Sequence, residues 1–171
     1  ADITHEKQLV AAFAPADSVI HCAGRPGDWG AYREFHRDNA WGTEVVARAC
    51  LKHGIHRCVF LSTPSVYYNG RDRLHVREDE PLPTRQTAYY GRTKLLAEAH
   101  LFGLRERGLS TISFRPRAVY GPYDTTILPR ILRMAAKRRF PLINGGRALV
   151  DVTYVENLAD AVIAALSAPD N

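Results

Sequence analysis

Helices and strands that alternate along the chain predict an α/β fold built on a parallel, doubly wound sheet. Three apolar runs carry the prediction: Ser18-Val-Ile-His-Cys-Ala-Gly24, Cys58-Val-Phe-Leu-Ser-Thr63 and Thr111-Ile-Ser-Phe-Arg115. The first two end in small or hydroxyl residues and the third runs into Pro116, as buried strands do where they deliver loops to a ligand edge. Stretches long enough for helices separate them. Two joints, His53-Gly54-Ile55 and Arg107-Gly108-Leu109, repeat one helix–glycine–strand device.

Taken in order, residues 5 to 13 predict a short helix, and the first strand follows at 18 to 22. A long helix runs from Ala31 to His53, with Phe35, Asn39, Thr43, Val46 and Cys50 on one inward stripe. The second strand, 57 to 62, leads into an irregular charged loop from Tyr68 to Arg85. The next helix carries Tyr90 and continues to Arg107, and a third strand covers 110 to 115. Beyond Pro122 the pattern gives a helix near 127 to 138, a short segment at 148 to 154 and a last helix from Glu156 to Ser167.

The 171 residues, 46% hydrophobic, suffice for one core and one domain. No apolar run approaches the ~18 residues of a membrane span. Cys22, Cys50 and Cys58 lie in apolar surroundings without metal-ligand spacing, so they read as core residues of a reduced, cytoplasmic protein with no metal site. The net charge of +5 is spread over many arginines, without the basic, aromatic-interleaved run of a nucleic-acid binder.

The chemistry sits in Thr87-Ala-Tyr-Tyr-Gly-Arg-Thr-Lys94. Tyr90 and Lys94, four apart, share the helix face that carries Ala97, Leu101 and Leu104. A phenol beside an ammonium is costly to bury without a purpose, and the positive charge is expected to lower the phenol's pKa towards acid/base work. Tyr89 has Thr93 at the same offset and is the weaker candidate.

Three strand ends, the hydroxyls at Ser62 and Thr63, and the Tyr90/Lys94 helix, in this order, resemble the extended short-chain dehydrogenase/reductase family. The resemblance covers nearly the whole chain. It implies a Rossmann-like, three-layer α/β/α fold with NAD or NADP as cofactor, and a homodimer that pairs the long helix and the Tyr90 helix with their symmetry mates. It assigns Tyr90 as the acid/base, Lys94 as its electrostatic partner and a ribose contact, and Thr63 as the hydroxyl on the substrate oxygen. Asn39, in Asn39-Ala-Trp-Gly-Thr43, matches a family asparagine that is either catalytic or a buried structural hydrogen-bonder.

By the same resemblance, Asp2 and Ile3 contact the adenine side, Cys22, Ala23 and Gly24 line the adenosine ribose and phosphates, and Pro116 opens the nicotinamide segment. Pro64, Ser65, Arg117 and Tyr120 are expected at substrate, and a substrate-binding region is expected to begin within 122–171. The glycine-rich phosphate turn of this family is not in the sequence, and the first residue is not methionine. The chain is therefore expected to be an internal piece of a longer protein, truncated at both ends relative to the family.

Thr63-Pro-Ser65 lacks the carboxylate of the dehydratases. Trp29-Gly-Ala-Tyr32, Arg115-Pro-Arg117 and Asp151-Val-Thr-Tyr-Val-Glu-Asn157 resemble the 3β-hydroxysteroid dehydrogenase branch. The implied reaction interconverts a secondary alcohol and a ketone on a steroid or β-keto substrate. A nucleotide-sugar epimerase is the alternative within the family, and a non-catalytic sensor or interaction module is the alternative outside it.

Overall fold

Strands β1 (Ser18–His21), β2 (Arg57–Leu61) and β3 (Ser110–Phe114) form a parallel sheet in the order β1-β2-β3. They are seen in a computed structural model that describes residues 1–27 and 29–170. Register pairs His21 with Phe60 and Leu61 with Phe114, which lines up the carboxyl ends of all three strands along one edge. The chain divides into two compact units: Ala1–Arg115 with the residues from Ala165 on, and Pro116–Ala164.

In the first unit the core lies between the sheet and three helices. Leu9 comes from α1 (Glu6–Phe13), Val45, Val46 and Cys50 from α3 (Gly42–Lys52), and Ala97 and Leu101 from α4 (Tyr89–Phe102). They pack on Val19, Cys58 and Phe60, each large side chain stabilising by about 1.5–3 kcal/mol. Strand alternation sends Val19 and His21 inward and leaves Ile20 44% exposed.

The predicted long helix is present, but in pieces. α2 (Tyr32–Phe35) passes through a π-helical turn, His36–Trp41, into α3. The inward stripe Phe35, Asn39, Thr43, Val46 and Cys50 is buried throughout, so the wider turn leaves the stripe facing the core. At the end of α3, Gly54 takes φ +65°, Ile55 N–H donates to the Cys50 carbonyl at 2.9 Å, and Gly54 N–H donates to Leu51 at 3.3 Å. These paired bonds across a left-handed residue are the Schellman arrangement.

The same arrangement recurs at Gly108, with φ +89° and Leu109 N–H donating to Leu104. Here it closes a separate 3₁₀ turn, Arg105–Arg107, because α4 stops at Phe102. The sequence pattern overran by five residues. Leu104, at φ −100° and ψ 3°, has left helical geometry while still packing against the core.

Cys22 is exposed, contrary to the expectation that all three cysteines are core residues; β1 ends at His21, and only Cys50 and Cys58 are buried.

In the second unit, β4 (Val119–Tyr120) pairs in parallel with β5 (Thr153–Tyr154), and the Tyr120 and Tyr154 rings lie 5.6 Å apart. The strand at β4 was not expected, and of the segment at 148 to 154 only β5 is regular. Helix α5 (Ile127–Ala136) is capped by Asp124, which accepts from the N–H groups of Thr126, Ile127 and Leu128 at 2.8–3.0 Å. These bonds to the charged form hold its carboxyl at about pKa 2. Helix α6 (Val155–Leu166) follows. No helix among the described residues is long and apolar enough to cross a membrane.

Candidate active site

Tyr90 stands in the first turn of α4, one residue past the helix start, where free N–H groups and the helix dipole favour an anion. Directly beneath, α4 presses on the loop after β2: a Cβ built on Gly91 would meet the Ser65 carbonyl at 2.7 Å. That contact brings Thr63, Pro64 and Ser65 to the tyrosine. Pro64 opens a 3₁₀ turn, Pro64–Tyr67, and buried Thr63 caps it, its Oγ1 accepting from Ser65 N–H at 3.2 Å. The Thr63 hydroxyl lies near enough to the Tyr90 phenol to favour its charged form.

One turn along, Lys94 is only 4% exposed. Its Nζ donates to the Leu61 carbonyl at 2.5 Å and sits 4.1 Å from the centre of the Phe60 ring. Burial pushes its pKa down to about 8, against the pull of Glu98 and Cys22. A Cβ at Gly24 would lie 3.7 Å from this nitrogen and 2.8 Å from Asn39 Oδ1, which places the exposed Cys22-Ala23-Gly24 loop over the lysine. The neighbouring Ser62 hydroxyl is buried without a partner among the described residues.

Electrostatically, one expectation is overturned. Burial raises the Tyr90 pKa, and only the Thr63 hydroxyl works against the rise. The Lys94 ammonium, bonded to the Leu61 carbonyl and resting on the Phe60 ring, does not offset that rise. Tyr90 is therefore a protonated phenol at neutral pH.

Asn39 joins three elements. Its Oδ1 accepts from Arg25 N–H at 2.6 Å, and its Nδ2 donates to the Arg25 carbonyl at 3.1 Å and to Thr93 Oγ1 at 3.0 Å. Thr93 in turn donates to the Tyr89 and Tyr90 carbonyls. These bonds use the amide oxygen and both amide hydrogens. Asp2 is engaged in a turn, its Oδ1 accepting from Thr4 N–H and Oγ1, both at 2.8 Å. Ile3 packs over Gly42 at the start of α3. Pro116, exposed Arg117 and half-buried Tyr120 belong to the second unit, Tyr120 within β4.

The sequence reading missed a buried polar group on α4. Glu98, four residues past Lys94, is 2% exposed and takes both forks of Arg115, from Nε at 2.9 Å and from Nη2 at 2.6 Å. Arg115 also reaches the Tyr67 hydroxyl, which donates to the Glu78 carbonyl and so anchors the charged loop. The signal was present, since Tyr90, Lys94 and Glu98 continue one i, i+4 row.

The sequence pattern of the NAD dependent epimerase/dehydratase family matches residues 1–171, and the chain belongs to that family. It is 34% identical to a 2-alkyl-3-oxoalkanoate reductase of Stenotrophomonas maltophilia, over 98% of this chain and 51% of that protein. It is 32% identical to the decarboxylating sterol-4-alpha-carboxylate 3-dehydrogenase of Bos taurus, over 96% and 47%. Among solved structures, MoeE5 in complex with UDP-glucose and NAD shares 29% identity at a TM-score of 0.81, over 100% of this chain and 58% of that one. The chain thus spans about half the length of the curated relatives it matches.

Proposed function

We propose that this chain carries the acid/base centre of an NAD(P)-dependent oxidoreductase that interconverts a secondary alcohol and a ketone. The observation that carries the reading is the grouping of Thr63, Tyr90 and Lys94 at the carboxyl edge of the sheet, with Tyr90 protonated and half-buried. A protonated phenol beside a hydroxyl is suited to donate to a carbonyl oxygen as it gains charge, while Thr63 holds the same oxygen. In the alcohol direction the phenolate would take the proton back, favoured by the start of α4.

The site fits a nicotinamide nucleotide at its ribose end. Lys94 spends one of its N–H groups on Leu61, and the partnerless Ser62 hydroxyl lies at the end of the same strand. Lys94 would bind ribose hydroxyls, the Cys22–Gly24 loop would pass over the adenosine half, and Asp2, Ile3 and Pro116 would line its two ends. When bound, the nicotinamide supplies hydride transfer; the residues named here hold it and move the proton. Pro64 and Ser65 would contribute substrate contacts.

For the substrate, the names of the two curated relatives agree on one feature: an oxygen-bearing carbon adjacent to the carbon that bears a carboxylate. We therefore favour a β-keto or β-hydroxy carboxylate with a bulky apolar body. The UDP-glucose complex of MoeE5 supports a second reading, a nucleotide-sugar epimerase. Incubating the protein with NADPH or NADH and a panel of 2-alkyl-3-oxo acids, 3-oxosteroids and UDP-sugars separates them. Ketone-dependent oxidation of the reduced cofactor is the expected result; UDP-glucose and UDP-galactose interconversion without ketone reduction would refute it. The homodimer through α3 and α4 and a cytoplasmic setting belong to the same proposal, and sedimentation equilibrium tests the former.

A further inference from the structure

The buried imidazole of His21 has no part in the chemistry above, yet its contacts reach both sides of the Tyr90/Lys94 site. Thr43 Oγ1 donates to the Asn39 carbonyl at 2.6 Å, which spends its only proton. At 2.8 Å from His21 Nε2 the hydroxyl must then accept, so Nε2 carries the hydrogen. The ring is neutral: burial pushes its pKa down to about 3, and the charge of Lys94 adds to the effect. The ring also stacks on Phe60, with centres 5.2 Å apart at 29°, and Phe60 is the ring on which the Lys94 ammonium rests.

We propose that His21 is a positioning residue of the Tyr90/Lys94 site, fixing the Lys94 ammonium through Phe60 and the Asn39 turn through Thr43. The Asn39 turn matters because its side chain ties the loop after β1 to Thr93, one turn from Tyr90. The inference rests on the acid/base reading but on no particular substrate. Around the ammonium, Glu98 on α4 and Cys22 after β1 favour its charge, while β2 supplies the Leu61 carbonyl and the Phe60 ring. His21 on β1 is the neighbour that must stay uncharged, because an imidazolium there would repel the Lys94 ammonium.

The test reads Lys94 itself, by competitive acetylation of the protein with acetic anhydride across pH and peptide mass spectrometry. In His21→Ala, water enters beside Phe60 and the burial of the ammonium is relieved. Its midpoint is expected to climb from about 8 towards 10.5. Thr43→Val, which keeps the shape and removes the acceptor, should move the midpoint the same way by less, and Thr43→Ser should leave it in place. An unmoved midpoint in folded His21→Ala overturns the proposal, as does one in Thr43→Val where the alanine variant does not fold. Failure of both to fold also overturns it, since His21 then serves the core and not the site. Loss of the acid/base reading would show separately, as turnover surviving Tyr90→Phe, and would leave the Lys94 midpoints as measured.

Discussion

Helices α4 and α5 treat their side chains in opposite ways. On α4, polar Thr93, Lys94 and Glu98 are buried, each against a named partner in the first unit. On α5, apolar Leu128, Ile131 and Leu132 are 39%, 38% and 59% exposed, and no residue of the helix is buried. Burying an ammonium and a carboxylate works against folding unless every lone pair and proton is used. α4 carries this cost at two positions, Lys94 and Glu98, one and two turns beyond the tyrosine in its first turn. Exposed apolar residues on α5 impose no such cost and by themselves specify no chemistry.

The sharpest way to break that contrast is Arg115→Ala. It leaves Glu98 buried without its forked partner, a change that typically costs about 3–5 kcal/mol. Urea unfolding should show the loss as a lower midpoint with unchanged slope. A variant as stable as the parent would mean that the α4 pair is not the buried ionic unit described here.

A smaller effect follows from Lys94. The folded chain releases its proton at about 8 and the unfolded chain near 10.5, so the unfolded state holds more protons between those values. Stability from this group is therefore expected to rise with pH across that window, the reverse of a lysine that gains an ion-pair partner. Lys94→Met should flatten the rise when unfolding midpoints are compared at pH 7.5 and pH 10, roughly the two ends of the window. The smallest effect belongs to α5: Leu132→Ala, at an exposed site with no partner to strand, should stay within about 0.5 kcal/mol of the parent. A loss of about 2 kcal/mol or more, as for a core leucine, would erase the contrast.

Much of this was legible in the chain. Apolar runs located β1, β2 and β3, although only β2 is buried as a block while β1 alternates and β3 is half-buried throughout, and the Tyr90/Lys94 pair emerged because helical spacing is visible in sequence. The end of α4 was misplaced because Leu104 packs on the core from a non-helical backbone, and periodicity cannot distinguish the two. Strands β4 and β5, two residues each, are too short to show a period. The π-helical turn at 36–41 leaves the inward stripe intact and so leaves no trace in the pattern. The Glu98–Arg115 pair and the His21–Thr43 bond join residues 17 and 22 apart, and only the fold brings them together. The direction of the Tyr90 pKa was misjudged for a related reason: spacing shows that a lysine is near, but not where its ammonium points.

Tyr90→Phe tests the central claim most directly. The substitution removes one hydroxyl from the first turn of α4 and leaves Lys94, its Leu61 bond and the Gly24 loop in place. Ketone-dependent turnover, measured at saturating reduced cofactor, should fall by about 10²–10⁴-fold, with the cofactor dissociation constant from fluorescence titration nearly unchanged. Turnover within a few-fold of the parent, on a substrate the parent reduces, would contradict the assignment of Tyr90 as the acid/base.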